Sequence, residues 1–232
     1  MSEKDRGNEN LHLRFFPGVG KYEIPEILPC ESYTTEHFIS FNNAMTEKSC
    51  SQKGVHFFLD DYQFQRVWEF PTKYIDLFRS FDCVCSPDFS LYADYPLSMQ
   101  IYNHYRKMWL SRYYQEYGVN VIPVPCWSDD RSFEFCFDGM PVHSVVAIAN
   151  TGAVHGDYSQ ALFKDGFFQM LKIIESEKIL FYGKLPDFVS NCGTDIVQIG
   201  DSHERFLDLC TKYTKDMSEE EKFEFQQFME ED

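Results

Sequence analysis

The sequence lacks any long apolar stretch. No apolar run approaches the roughly 20 residues that a helix needs to span a bilayer, and the opening ten residues, MSEKDRGNEN, have no apolar core of the signal-peptide kind. We therefore expect a cytoplasmic protein that does not enter or span a membrane.

Basic residues are scarce. The chain has 21 Lys and Arg against 37 Asp and Glu, which gives a formal net charge of −16. Binding to extended nucleic acid is driven by counterion release and needs clustered Lys and Arg, so this composition argues against such a partner. It leaves room for a nucleotide-sized ligand, which needs only a few local donors or a bound cation.

Disulfide frameworks and familiar catalytic motifs are also missing. The eight cysteines do not have the dense spacing of a secreted disulfide scaffold, and we interpret them as reduced thiols. The sequence contains no G-x-S-x-G elbow, no H-E-x-x-H and no dinucleotide-binding fingerprint. Evidence for function must therefore come from the way polar residues are distributed along the fold.

Five short apolar runs, most of them separated by helix-like stretches, are the most informative positive feature. They lie at 55–59, 83–85, 119–124, 145–149 and 179–182, and each ends at polar residues or glycine. This alternation predicts an α/β fold with a mainly parallel sheet of about six strands flanked by helices. An incomplete β/α-barrel is the alternative. A further short strand is predicted at 132–137, and helices after the first, second and fourth runs.

Three segments are expected along the chain. Residues 1–50 carry Pro17, Pro25 and Pro29 and are predicted to form an irregular N-terminal wrap. Residues 51–215 form a single α/β domain in this prediction. Residues 216–232 contain eight acidic residues and one Lys, and are expected to form an acidic helix or tail.

The polar residues that follow the runs form the candidate site, because the carboxyl ends of parallel strands meet at one edge, where α/β proteins hold their ligands. Three carboxylates are the candidate catalytic residues, namely Asp60, Asp61 and Asp88. The candidate ligand-binding residues are Ser90, Tyr92, Gln100, Asn103, Arg106, Trp127, Asn150 and Thr151. Grouping many polar side chains beside apolar strands costs free energy unless solvent or a ligand satisfies them. The structural alternative is that the carboxylates only cap turns and helices.

Two kinds of chemistry remain open for such a site. Carboxylate oxygens are ligands for Mg²⁺, which can carry phosphates into an acidic site, so Mg²⁺ is a candidate cofactor. Paired carboxylates can instead act as acid and base in glycosidic or N-glycosidic cleavage. The spacing of the residues does not choose between these two chemistries, and it assigns no metal ligands.

Two blocks, PDFSLY at 87–92 and FCFDG at 135–139, carry a family resemblance. Together with GVHFFLDDYQFQRVWEFPTKYIDLF and SVVAIANTG, they make the chain resemble the domain of unknown function 4417 family of bacterial, plasmid and phage proteins over roughly residues 50–185. The resemblance implies an intracellular protein associated with mobile elements. It supplies no catalytic residue.

The leading hypothesis is a phage or mobile-element protein that binds a small polar ligand, nucleotide-like or sugar-bearing, at the carboxyl edge of the sheet. In its stronger form the protein is a hydrolase that cleaves a phosphoester or N-glycosidic bond of that ligand, and by analogy it serves counter-defence. The rival hypothesis is an acidic interaction protein, for example a DNA mimic, that inhibits a host enzyme as its protein partner.

Overall fold

The computed structural model describes residues 8–30, 32–35, 37–151 and 156–199. Within these ranges, no helix combines the length and apolar character needed to cross a bilayer. The predicted acidic helix or tail at 216–232 lies outside the described residues.

Parallel strands form two sheets, whose order follows the order of the chain. The first sheet consists of β3 (Phe38–Ser40), β4 (Gly54–His56), β5 (Cys83–Cys85) and β6 (Val121–Ile122), and the second of β7 (Val145–Ala149), β8 (Lys178–Tyr182) and β9 (Asp195–Ile199). A short antiparallel pair, β1 (Gly18–Val19) and β2 (Ile24–Pro25), precedes them. All five apolar runs contain strands, β4 to β8, so that prediction is confirmed.

Helices occupy the three stretches where periodicity predicts them. The helices are α1 (Phe41–Ala44), α2 (Asp61–Glu69), α3 (Ile75–Arg79), α4 (Leu97–Glu116), α5 (Asp157–Ile174) and α6 (Asp187–Ser190). The two short helices α1 and α6 were not predicted. A 3₁₀ turn at Pro71–Tyr74 separates α2 from α3, because proline cannot continue a helical hydrogen-bond ladder.

The predicted strand at 132–137 is wrong. A 3₁₀ helix covers Asp130–Glu134 instead, and the Asp129 carboxylate accepts a hydrogen bond from the Arg131 amide at its start. Such side-chain bonds to the backbone favour turns over strands and outweigh the alternation of apolar residues in this segment.

The prediction of one sheet of about six strands is also wrong for the part of the chain that the structure describes. The β6 strand has only two residues and is followed by Pro123 and Pro125, which have no amide hydrogen to donate to a neighbouring strand. A hydrogen bond of 2.9 Å from the Ala147 amide to the Pro123 carbonyl nevertheless links β7 to the chain just after β6.

Side chains on the parallel strands alternate between two faces. On β5, Val84 packs towards the helices, whereas Cys83 and Cys85 belong to a different cluster. On β8, Ile179 and Phe181 pack with α5 residues and their neighbours alternate to the opposite face. The helices therefore cover one face of each sheet.

The opposite faces of the two sheets share one apolar interior. It contains residues from both sheets, namely Phe38, Phe58, Cys83, Cys85, Ile122, Val124, Ala147, Leu180, Tyr182 and Ile199. The His56 and Tyr182 rings, from different sheets, lie 4.7 Å apart between centroids. Chain-order winding and a shared interior are features of the incomplete β/α-barrel alternative.

The N-terminal segment contributes to this architecture. Within it, Phe38–Ser40 forms β3, which pairs in parallel with β4. Ile24 and Ile27 are buried against Met108 of α4. The remainder of the described N-terminal residues is largely irregular, and the sheet begins before residue 51.

Candidate functional site

Asp61 joins the first two strand ends of the candidate site. It is the first residue of α2, the helix that follows β4. Its carboxylate accepts a 2.8 Å hydrogen bond from the Ser90 hydroxyl and bonds of 3.1 and 3.2 Å from the Ser90 amide. Ser90 lies in the segment after β5. Two of the predicted site residues are therefore in direct contact, as expected for neighbouring parallel strands.

Asn103 and Arg106 of α4 extend this network. The Asn103 amide donates to the Ser90 carbonyl at 2.7 Å, and the Arg106 guanidinium donates to the Asn103 side chain at 2.6 Å and to Gln65 of α2 at 2.8 Å. The guanidinium also lies over the Phe89 ring at 3.9 Å. These bonds tie the segment after β5 to both α2 and α4.

The network has a structural consequence. The hydrogen bonds of Asp61, Ser90, Asn103 and Arg106 given above all go to other protein groups. They fix the segment after β5 in one conformation, and the prediction that they also contact a ligand stays a prediction. Asp60 occupies the N-cap position of α2 without a side-chain capping bond.

Asp88 and Lys107 form a buried ion pair next to this network. The Lys107 Nζ atom lies 3.8 Å from Asp88 Oδ1, and the lysine side chain is 0% exposed. Among the described residues, neither Nζ nor Oδ1 has a hydrogen-bond partner. The Asp88 side chain as a whole is 20% exposed, so its other atoms reach the surface while Oδ1 does not.

Burial raises the pKa of the Asp88 carboxyl to about 6. The Lys107 charge opposes this rise, the Asp61 charge adds to it, and the nearby Cys126 thiol also favours the ionised form. A carboxyl with a pKa close to neutrality, at the end of a strand, is suited to exchange protons at physiological pH.

His104 lies one turn before Lys107 on α4 and is fully buried. Its Nε2 atom donates to the Asp138 carbonyl at 3.0 Å, so Nδ1 is the unprotonated nitrogen of a neutral ring, and it has no partner in the described part of the chain. Burial and the Lys107 charge lower the pKa of His104 to about 3. The ring therefore stays neutral beside the lysine.

Gln100 and Tyr92 have different environments. Gln100 is buried, accepts a 2.6 Å hydrogen bond from the Ser128 hydroxyl and donates to the Tyr95 carbonyl. It thus links α4 to the segment after β6. Tyr92 is 49% exposed and packs edge-to-face against Tyr95 at 4.9 Å, so it lies on the surface beside the strand ends.

Trp127 packs against α5. Its ring lies 5.4 Å from that of Phe163, and a Cβ atom added at Gly166 would fall 2.1 Å from the indole. The glycine therefore gives the indole room to pack closely against the helix. This position differs from the ligand-stacking role that the sequence suggests, which stays a prediction.

Asn150 and Thr151 follow β7, in the second parallel sheet. Asn150 is buried and donates to the Lys184 carbonyl at 2.6 Å, while Gly183, with φ of +113°, leaves space for its amide oxygen. Asn150 thus joins the ends of β7 and β8, and Thr151 is exposed. Their described hydrogen bonds do not connect them to the Asp88 network, and the residues 152–155 lie outside the description.

His56 is a buried polar residue of the shared interior. It is 0% exposed at the end of β4, and its Nδ1 atom accepts a 3.3 Å hydrogen bond from the Phe58 amide. Nε2 therefore carries the proton, and no described residue accepts a hydrogen bond from it. Burial lowers the pKa of His56 to about 3.

Sequence reasoning missed Lys107, His104 and His56. A signal for Lys107 is present, because Gln100, Asn103 and Lys107 follow helical spacing and share one face of α4. The burial of Lys107 was not expected, because long basic side chains are usually exposed. His56 lies within an apolar run, where nothing distinguishes a buried histidine from a functional one.

A cavity of about 340 Å³ lies near the amino ends of β3 and β4 and is lined by Thr34, Thr35, His37, Ser51 and Gln52. This is the end opposite to the candidate site. In the described ranges, no three His, Cys, Asp or Glu side chains are grouped closely enough to hold a metal ion. The seven cysteines found there are free thiols.

Comparison with known proteins identifies the family. Two relatives, both called Gene 1 protein, come from the Mycobacterium phages D29 and L5 and are 35% and 34% identical to this chain over 178 residues. Each match covers 75% of this chain, and the matches cover 66% of the D29 protein and 77% of the L5 protein. No solved structure matches the chain.

A family model described as a domain of unknown function, DUF4417, matches residues 16–199. The resemblance suggested by the PDFSLY and FCFDG blocks is thus confirmed, and it extends into the proline-containing start that the sequence resemblance left outside. Since the match covers most of the sequence, the chain belongs to the DUF4417 family.

Proposed function

We propose that this phage-related protein binds a small polar ligand, nucleotide-like or sugar-bearing, at the carboxyl edge of β4, β5 and β6, with Asp88 as the ligand-facing carboxylate. In the stronger form of this proposal, the protein is a hydrolase that cleaves a bond of that ligand and acts in counter-defence. The relatives from two mycobacteriophages support the phage setting.

The Asp88–Lys107 pair is the observation that carries the proposal. Two opposite charges whose facing atoms, Lys107 Nζ and Asp88 Oδ1, lie 3.8 Å apart without a hydrogen bond to another described residue stabilise a fold poorly, because desolvation offsets much of their attraction. Unsatisfied buried polar groups in native proteins call for an explanation, and a functional role is one of the usual ones. The partial exposure of Asp88 leaves it accessible at the strand edge.

The surrounding network supports the same site. Asp61 and Asn103 hold Ser90 by its amide, hydroxyl and carbonyl, two residues from Asp88. A ligand-facing carboxylate needs such support, since binding is weakened when the receptor must be ordered at the same time. The hydrogen bonds that fix this segment therefore favour a preorganised site.

A thermal-shift screen tests the proposal. Full-length protein is heated with nucleosides, nucleotides and simple sugars, each with and without Mg²⁺, because a ligand that binds only the folded state raises the melting temperature. We expect at least one compound to raise the melting temperature of the wild type and to lose this effect in Asp88→Asn and in the double variant Asp88→Asn/Lys107→Met.

Asp130→Asn is the matched control. Asp130 is an exposed carboxylate at the start of the 3₁₀ helix that follows β6, and its substitution should leave the ligand-induced shift intact. The pocket proposal is wrong if no compound shifts the wild type, or if the Asp88 variants respond as the wild type does.

A second candidate, an acidic interaction protein or DNA mimic, is favoured by the net charge of −16, of which the segment 216–232 supplies −7. Deletion of 216–232 separates the two. The pocket proposal predicts an unchanged ligand-induced thermal shift in the deleted protein. The interaction proposal predicts loss of binding to a host protein that the full chain captures.

A further inference from the structure

The contacts of Asp88 distinguish its two oxygens. Oδ1 is buried and faces Lys107 Nζ at 3.8 Å, and the exposed part of the side chain lies elsewhere on the carboxylate and its stem. Lys107 is 0% exposed and cannot itself meet a ligand in this conformation. Its ion pair with Asp88 gives it a route to influence a ligand.

We propose that Lys107 is a positioning residue that keeps Asp88 ionised at neutral pH, so that Asp88 serves the ligand as a general base and not as a ligand for Mg²⁺. This inference rests on the proposed function of the Asp88 site. In the step it implies, the Asp88 carboxylate takes a proton from a hydroxyl group or water and becomes a carboxylic acid, and the oxygen that loses the proton keeps the electron pair.

The charges that face Asp88 come from several elements. Lys107 of α4 favours the ionised carboxylate, Asp61 of α2 disfavours it, and the thiol of Cys126, after β6, favours it. Burial is the largest influence and works against ionisation. Among the described groups that influence the ionisation of Asp88, Lys107 is thus the one that carries a positive charge.

The same arrangement disfavours a magnesium ion on Asp88. A divalent cation bound to Asp88 would stand close to the buried Lys107 charge, and solvent would screen the repulsion between the two cations only in part. The neighbouring carboxylate, Asp61, already accepts three hydrogen bonds from Ser90. Mg²⁺ binds through ionised oxygens in octahedral geometry, and one oxygen of Asp88 is buried beside a fixed cation.

The test is a pH titration of the Asp88 side chain in the full chain. Carboxyl ¹³C resonances of aspartate-labelled protein give its titration midpoint, with the Asp88→Asn spectrum used to assign the signal. An opposite charge at this distance lowers the midpoint of a carboxylate by about 1–3 pH units. We therefore expect Lys107→Met to raise the titration midpoint of Asp88 by at least about one pH unit, which is a tenfold increase in its proton affinity. Lys107→Arg should preserve the wild-type midpoint to within a few tenths of a unit.

An unchanged midpoint in Lys107→Met would overturn the inference. If Lys107→Met does not fold, a Mg²⁺ titration of the wild type decides the matter: we expect no movement of the Asp88 resonance, and a saturable movement would overturn the general-base role. Failure of the thermal-shift screen would remove the proposed ligand and leave the effect of Lys107 on Asp88 measurable, so the two failures are distinguishable.

Discussion

At the scale of single residues, the loss of one partner of the buried Asp88–Lys107 pair is expected to destabilise the fold by more than the intact pair stabilises it. The Lys107 charge is fully shielded from water and the Asp88 charge largely so, and each charge is compensated by the other. Removing one partner leaves an uncompensated buried charge, which in proteins typically costs about 3–5 kcal/mol. Replacing both residues removes both charges, so that no uncompensated buried charge remains.

Lys107→Met, which leaves the Asp88 carboxylate without its compensating charge, is therefore expected to lower the free energy of unfolding by about 3 kcal/mol or more at pH 7. The double variant Asp88→Asn/Lys107→Met should regain most of this loss. Urea denaturation measures both. Asp195→Asn serves as the control, because its carboxylate belongs to an exposed pair with Lys178 at 3.1 Å, and such pairs contribute at most about 1 kcal/mol. A double variant no more stable than Lys107→Met would contradict this account.

At the scale of elements, the segment after β5 is fixed by side chains of α2 and α4. Asp61 binds it from one side and Asn103 from the other, both through Ser90. Neither helix alone accounts for the conformation of the segment. Its rigidity therefore depends on the polar contacts between elements and not on a regular secondary structure of its own.

Asp61→Ala should loosen this segment. The substitution removes the acceptor of the Ser90 amide and hydroxyl, which are partly buried, and the loss of a partner there costs less than the roughly 1–3 kcal/mol of a fully buried donor. We expect faster hydrogen exchange at the Ser90 amide than in the wild type. Asp76→Ala, at a side chain that is 99% exposed on α3, should leave that exchange rate unchanged. Equal protection of Ser90 in Asp61→Ala would show that the network does not hold the segment.

The packing of α5 depends on a glycine. Gly166→Ala would place a methyl group 2.1 Å from the Trp127 indole, so either the helix or the ring must move. Alanine is favoured over glycine in a helix by about 1 kcal/mol, but overpacking typically costs about 1–3 kcal/mol. We expect a net loss of stability in thermal unfolding. Asp165→Ala on the exposed side of α5 is the matched control, and a more stable Gly166→Ala protein would contradict the described contact.

At the scale of the whole molecule, two parallel sheets of chain-order strands enclose one interior, and two neutral histidines lie in buried positions. His56 faces that interior and His104 lies on α4, both with a pKa lowered to about 3. In the unfolded chain a histidine titrates at about 6.5. Between these values the unfolded chain binds more protons than the folded one, so the free energy of unfolding decreases as the pH falls below about 6.5.

Asp88 acts with the opposite sign. Its folded pKa of about 6 lies above the ordinary 3.8, so the folded protein binds the extra proton between these values and gains stability as the pH falls through about 6. The pH dependence that Asp88 contributes offsets that of about one histidine. For the three groups together, the free energy of unfolding therefore falls by about 1.4 kcal/mol per pH unit between pH 6 and 4.

His56→Asn should therefore reduce the acid sensitivity of the fold. The amide oxygen of Asn can accept the Phe58 hydrogen bond, but it cannot be protonated in this range. Urea midpoints between pH 7.5 and 5 should fall less steeply in His56→Asn than in the wild type. The exposed His143 provides the control, His143→Asn. Identical pH dependence in His56→Asn and the wild type would refute the burial of a neutral His56.

The sequence predicted the positions of most strands and helices but not the division of the strands into two sheets. Alternation of apolar runs with helical periodicity located β4 to β8, since both signals are local. The separation into two sheets depends on Pro123 and Pro125 at the end of β6, whose effect on pairing is visible only when the neighbouring strand is known. Asp61 and Asn103 both contact Ser90, and the role of these residues in a ligand site stays a prediction. Lys107 was missed because its burial arises from tertiary packing.

The most direct test of the central claim is the response of the Asp88 carboxyl resonance to added ligand. Aspartate-labelled full-length protein is titrated with the nucleosides, nucleotides and sugars of the thermal-shift screen, and all aspartate carboxyl ¹³C signals are followed at constant pH. We predict that a binding compound moves the Asp88 signal saturably and leaves that of the exposed Asp130 in place. A compound that binds and moves other aspartates but not Asp88, or a screen in which no signal moves, would contradict the claim.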